Sequence, residues 1–344
     1  MTALPLLRRL GFFTRVLDAG GAAERYRLAA EQILHAERCG FDSAWVAQHH
    51  FHEAEGGLPA PLVFLAHVAA RTTRIRLGTG IITLPLELPI RVAEDTAVLD
   101  MLSGGRLEVG IGPGGNMAAF RAFGLDSEAR GRLTADHLAL LRTAWAGQAL
   151  PGGDRLYPAH PALDARVWQA SFGVEGARRA GLAGDGLLLS RTQPRPDNRW
   201  DMTLADIQDP MLDAHFAALP PGTEPRVLAS RSVFVADDRA GALRLAEAGL
   251  SRMRPRLAAA GHPAAQGDVH ALIAAYDVHV GTAEDVVESL RADPVMQRAT
   301  DLAVQVHSVD PPHPLVLRSI ELVATRVAPA LGWRAEPARL RAHG

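Results

Sequence analysis

The stretch "WVAQHHFHE" places His49, His50 and His52 within four positions, directly after a β-rich apolar run. Histidines so placed can ligate a metal, exchange protons beside an organic cofactor, or simply pack. Zinc needs three or four ligands converging from separate segments. The other candidate strand ends supply Thr, Gly, Ser and Arg, with only His307 and Asp310 as distant ligands. Adjacent side chains on an extended segment also point to opposite sides, so His49 and His50 do not easily face one ion. Imidazole titrates near neutral pH, about 6.5 in model peptides, which suits His49 to proton transfer beside a cofactor. His50 is expected to support it, and His52 carries no assigned role.

Two further stretches could hold a ligand. "GIGPGG" (110–115) spaces Gly110, Gly112 and Gly115 as in the dinucleotide fingerprint. That fingerprint also needs a tight helix start and an acidic residue about 20 residues on. Pro113 interrupts the turn and the next strand begins only near Arg166, so a glycine-rich rim open to a flat cofactor is the better reading. In "ASFGVEG" (170–176) a strand ends at Ser171, Gly173 frees the turn, and a helix starts near Val174. Helix N-termini present unpaired N–H groups that suit a phosphate, and Arg191 on the following strand end could add a bidentate contact.

These residues sit at the ends of regularly spaced elements. Apolar runs at 10–14, 41–47, 74–84, 106–112, 166–171, 186–190, 226–237 and 301–307 alternate with segments of helical period. Eight such units predict an α/β fold, a (β/α)8 TIM barrel, with an open doubly wound sheet as the competitor. In the barrel the chemistry collects at the C-terminal strand ends, and the histidines and glycines above all fall there. Two segments exceed the repeat: 191–225 after the sixth strand, and 238–300 between the seventh and eighth, the latter with two or three helices. Residues 1–344 are expected to form one domain. Phe12, Phe13, Phe51, Phe120, Phe172 and Trp200 suggest an apolar pocket, although aromatics near strand ends also serve simple packing.

The composition narrows the partners. A formal net charge of -2, without long runs of like charge, argues against nucleic acid or an anionic membrane surface. The single Cys39 excludes an intramolecular disulfide and fits a reducing cytoplasm. No run of about 18 apolar residues predicts a membrane span.

Taken together, "CGFDSAWVAQHHF", "RTTRIRLGTGIITLPLELPIRVAEDTAVLDMLSGGRLEVGIGPG", "RAGLAGDG" and "VGTAEDVVESL" resemble segments of the bacterial luciferase-like, flavin-dependent monooxygenases and oxidoreductases. "LLLSRTQPRP" and "DIQDPMLDAHF" are similar to an FMN-associated branch. The resemblance implies FMN lying across the barrel strand ends in a homodimer. It implies reduction by NAD(P)H directly or through a flavin reductase, and O2 as the oxidant of a small organic substrate. The deazaflavin F420, with hydride transfer, is the alternative on the same fold; a non-catalytic flavin sensor is another, and a zinc hydrolase would need bound metal. Carried over by position, His49 and His50 are the catalytic candidates. Cofactor binding falls to Phe13, Thr79, Gly80, Ile81 and Gly112, with Ser171, Phe172, Gly173, Val174, Glu175 and Arg191 toward the phosphate. Gly80-Ile81 matches a bulge that often holds a non-proline cis peptide. Gln48 stands where the family commonly has Glu, and Gly112-Pro113 where its luciferases carry Cys-Arg, which weakens any expectation of light emission.

Overall fold

Strands that are apolar on both faces need cover on both, and a closed parallel barrel ringed by helices supplies it. The computed structural model describes residues 8–196, 199–306, 309 and 311–333. Its strands are β1 (Arg9–Thr14), β2 (Ser43–Val46), β3 (Arg76–Thr79), β4 (Ile82–Thr83), β5 (Leu107–Gly112), β6 (Val167–Ala170), β7 (Gly186–Leu189), β8 (Val227–Val235), β9 (Val278–Gly281) and β10 (Asp301–Gln305). The path β10-β1-β2-β3-β5-β6-β7-β8 closes through β8 and β10, with Arg9 opposite Asp301 and Asp301 opposite Leu228. This is the (β/α)8 barrel that the alternation predicts. β4 continues beyond β3 and pairs with the end of β5, while β9 pairs with the outer half of β8.

Between β7 and β8 runs the helix Leu204–Ala218. The segment between β8 and β10 is richer than the sequence suggested. It holds four helices, Arg239–Ser251, Arg254–Ala259, Val269–Ala275 and Ala283–Arg291, as well as β9. β9 escaped the sequence reading because its four residues, VHVG, lead straight into a helix capped by Thr282 and Asp285. Among the described residues no helix is long and apolar enough to cross a membrane.

The barrel interior is filled from below. Trp45 and Trp168 meet edge to face, 5.6 Å apart, at its centre. Each fits because the neighbouring strand offers a glycine: a Cβ on Gly78 would fall 2.2 Å from the Trp45 ring, and one on Gly186 would fall 2.2 Å from the Trp168 ring. Beneath them the charged groups are paired, as burial requires. Arg9 bridges Asp301 at 2.9 Å, Arg76 bridges Glu108, and the Trp168 indole N–H donates to Glu108 at 2.7 Å. Arg226 stacks over the Trp168 ring at 4.9 Å. These pairs and the two tryptophans fill the N-terminal half of the barrel interior.

Candidate active site

A cavity of about 910 Å³ opens at the C-terminal rim. Phe13, Gly80, Ile81 and Gly112 form part of its floor, His49 and His50 one wall, and Ser171, Phe172 and Arg191 another. The structure therefore brings together nine of the residues singled out from the sequence. Four others lie outside its lining, Thr79 buried and Gly173, Val174 and Glu175 exposed. The Thr79 hydroxyl is spent inside the sheet, donating to the Gly110 carbonyl at 2.7 Å and accepting from the Gly110 amide at 2.9 Å. Gly173, Val174 and Glu175 begin the helix Val174–Leu182 next to the rim, and the Gly173 amide donates to Ser171 Oγ at 3.1 Å. The Gly80-Ile81 peptide is cis. Of the aromatic candidates, Phe13, Phe120 and Phe172 line the cavity. Phe12 is buried in the outer core, Phe51 is 68% exposed outside the cavity, and Trp200 packs on His262 at 4.7 Å.

His49 leaves the end of β2 and is held by its surroundings. Arg15, just past β1, donates Nε–H to His49 Nε2 at 3.4 Å. A guanidinium only donates, so Nε2 is the acceptor and the neutral ring carries its proton on Nδ1, 3.8 Å from Glu55. Burial, then the positive charges of Arg15, His50 and Arg191, push the His49 pKa down to about 4. The expectation of near-neutral titration is thus corrected: His49 is a neutral hydrogen-bonding imidazole over the physiological range. His50 is also shifted downward, by burial, and its ring meets Phe123 edge-on at 5.1 Å. His50 Nε2 is buried with no hydrogen-bond partner among the described residues. His52 stands exposed at the start of a short helical turn.

Gln48 proves to be a brace. Its Oε1 accepts from the Thr83 amide at 2.7 Å, while Nε2 donates to the Pro59 carbonyl at 3.0 Å and to Glu87 at 2.6 Å. Burial already raises the Glu87 pKa. A glutamate at 48 would set a second carboxylate against it, whereas the amide satisfies both neighbours. The departure from the family pattern therefore has a local partner.

In three dimensions the glycine stretch is the rim expected of it, with Gly110 set apart inside the sheet. A Cβ at Gly110 would lie 1.9 Å from the Thr79 carbonyl, so this glycine serves the close approach of β3 and β5. Gly112 faces the cavity, where a Cβ would crowd Ile81 at 3.0 Å and Ala170 at 3.3 Å. Gly114 adopts φ +73°, which a side chain disfavours. The stretch is a rim, not a nucleotide turn. Among the described residues no group of three or more His, Cys, Asp or Glu could hold a metal ion, and His307 and Asp310 lie outside them.

Arg191 departs from its expected neighbours. Its side chain turns toward β8 and β10, donating to Gln305 at 2.7 Å and to Ser232 at 3.1 Å. Gln193 instead reaches β6, donating to the Ser171 carbonyl at 3.1 Å. The sequence reading also missed Arg15, Asn116 and Ser230 as cavity residues. Arg15 lies just past the end of the first strand, a position the same strand-end rule would have reached. Ser230 sits mid-strand and shows only through the inward alternation of Leu228, Ser230 and Ser232 along β8.

The family model for luciferase-like monooxygenases matches residues 9–299. The 4-hydroxyprotoasukamycin monooxygenase of Streptomyces nodosus subsp. asukaensis is 36% identical over 111 residues, 32% of this chain and 30% of that protein. The chain spans about a third of the length of the first curated relatives it matches. A monooxygenase structure from Streptomyces bottropensis superposes with a TM-score of 0.75 at 25% identity, over 93% of this chain and 99% of the other. The oxygenating constituent of 3,6-diketocamphane monooxygenase from Pseudomonas putida, solved with FMN, also gives 0.75, at 18% identity over 94% and 98%, and this second likeness speaks to the fold alone. With 9–299 of its 344 residues matched on a closed (β/α)8 barrel, the chain belongs to the luciferase-like monooxygenase family.

Proposed function

We propose that the chain, as one barrel domain, is an FMN-dependent monooxygenase acting with reduced flavin and O2 on a small organic substrate. The observation that carries this is the cavity itself: the neutral His49 faces a glycine-lined floor, beside polar atoms that lack a partner. Ser230 Oγ, on a residue only 8% exposed, and His50 Nε2 both lack a hydrogen-bond partner among the described residues. About 910 Å³ is at the upper end for a cofactor site. Bound there, FMN would supply the redox chemistry and the activation of oxygen. Phe13, Gly80, Ile81 and Gly112 would cradle the flat ring. The turn at 171–175, braced by Gln193, would receive the phosphate at a helix N-terminus.

The remaining residues position and exclude. Arg15 fixes the His49 tautomer, so Nδ1–H is the group offered to a substrate or oxygen-derived partner. Phe120 and Phe172 keep water from the reacting face. Electrons would come from NAD(P)H, directly or through a flavin reductase. Exposed Val63, Val98, Met101 and Leu102 lie on the neighbouring helices Pro61–Ala69 and Pro89–Ser103, and such a surface supports a homodimer. The single Cys39 supports a cytoplasmic home.

Cofactor titration tests the reading. The purified chain is expected to bind about one FMN per chain at micromolar or lower concentration, followed by quenching of flavin fluorescence. Saturable binding of F420 without FMN binding would move the chain to hydride transfer.

A further inference from the structure

The loop from β2 to the helix Pro61–Ala69 borders the cavity mouth, and its Glu53, Ala54 and Glu55 join the lining. It is fastened along its length. The Tyr26 hydroxyl donates to the Gly57 carbonyl. Arg25 Nη1 donates to the Glu53 carbonyl at 3.0 Å, and Nη2 lies 3.3 Å from the Glu53 carboxylate. Arg15 Nη2 donates to the Glu55 carbonyl at 2.5 Å. Gly56 has φ +115°, and a Cβ there would fall 2.2 Å from the Arg15 carbonyl, so the loop lies close against the end of β1. Along this side Arg15 and Arg25 are matched by Glu53 and Glu55. Hydrogen-bond geometry, not net charge, therefore selects what binds here.

The fastened loop delivers the Glu55 carboxylate to His49. Oε2 lies 3.8 Å from His49 Nδ1 and accepts from Asn116 Nδ2 at 3.3 Å. Because Arg15 Nε–H is donated to His49 Nε2, the ring proton is on Nδ1, the atom facing the carboxylate. At 3.8 Å the two do not satisfy each other, and the carboxylate keeps lone pairs beyond the one Asn116 uses. One oxygen at about 2.8 Å from each atom bridges such a pair. That oxygen must accept from Nδ1–H and donate to Glu55, which a hydroxyl does. A carbonyl or ether oxygen only accepts, and a carboxylate meets Glu55 as a like charge. Asn116 also caps the helix Met117–Ala122. Ala119 and Phe120 of that helix pack with Leu86, and all three line the same cavity as an apolar wall.

We propose that Glu55 is a specificity-determining residue that, paired with His49, takes a neutral hydroxyl of the substrate. The substrate is accordingly a small, largely apolar alcohol or phenol whose hydrocarbon part lies against Leu86, Ala119 and Phe120. This rests on the monooxygenase reading and adds the class of substrate.

Phenol, anisole and benzoate are the probes, titrated at pH 7 into the FMN-loaded protein and followed by perturbation of the flavin absorption spectrum. Anisole keeps the ring and the oxygen of phenol and loses only the donor. Phenol is expected to bind about tenfold more tightly than anisole, with benzoate the weakest of the three. Glu55→Ala leaves the backbone carbonyl that Arg15 holds, and is expected to abolish the preference for phenol while leaving anisole unchanged. Glu55→Gln, which keeps an acceptor oxygen without the charge, is expected to retain part of the preference and to bind benzoate several-fold more tightly than the parent does. FMN affinity, measured in every variant, reports on folding and on the cofactor site. Equal affinities for phenol and anisole, or phenol affinity unchanged in Glu55→Ala, overturn the assignment. So does benzoate binding the parent as tightly as phenol, or a Glu55→Ala variant that loses FMN affinity, which would give Glu55 to the cofactor. Failure of the parent chain to bind FMN at all would instead remove the monooxygenase reading beneath it.

Discussion

His49→Ala is expected to bind FMN as the parent chain does and to lose turnover by about 10²- to 10⁴-fold, the range a positioned proton-transfer or hydrogen-bonding group supplies. The side chain lies on the cavity wall and is no part of the barrel core, so folding and flavin affinity are the internal controls. Because the His49 pKa sits at about 4, it contributes no inflection to the rate profile between pH 5 and 8. An inflection that disappears in His49→Ala would show that the bound cofactor moves its pKa up. The sign for stability follows from the same shift. A histidine whose folded pKa lies below its unfolded value of about 6.5 leaves stability intact above pH 6.5 and erodes it as pH falls toward 4. His49→Gln should regain part of the turnover, since an amide can replace Nδ1–H as donor. Turnover equal to the parent in His49→Ala would remove the residue from the mechanism.

The second large effect is structural. Gly110→Ala is expected to destabilise the fold by about 3 kcal/mol, read as a shift of the urea midpoint at constant slope. The added Cβ would sit 1.9 Å from the Thr79 carbonyl and 2.9 Å from Leu188, so β3 and β5 must part at the floor of the cavity. Gly115→Ala, five residues along the same stretch, would place its Cβ 3.7 Å from Phe172 and is expected to change stability by less than about 0.5 kcal/mol. Similar midpoints for the two variants would contradict the assignment of Gly110 to strand packing.

These two residues show what the sequence could and could not reveal. The alternation of apolar runs fixes eight strands, and the strand-end rule then delivers His49, Gly80, Gly112, Ser171 and Arg191 to one rim. That much follows from period and order alone. The direction in which Arg191 points does not, because it depends on Gln305 and Ser232, 114 and 41 residues away. The same holds for His49: its low pKa comes from burial and from Arg15 across the β1–β2 pair, neither of which is a local property. Gln48 was visible as a departure from the family pattern, but its reason lies in Glu87, 39 residues on. Gly110 shows a different limit of spacing alone. Its spacing imitates a nucleotide fingerprint, while its purpose is steric. β9 was lost because four residues carry too little periodicity to stand out between helices.

The central claim is that the site joins O2 to a small substrate through reduced FMN. Its most direct measurement is incubation of the FMN-loaded chain with NAD(P)H, a flavin reductase and a panel of small organic compounds under isotopically labelled O2, with mass analysis of the products. The expected product carries one labelled oxygen atom, forms only aerobically and is lost in His49→Ala. Turnover of the same substrate under anaerobic conditions, with no label incorporated, would contradict it.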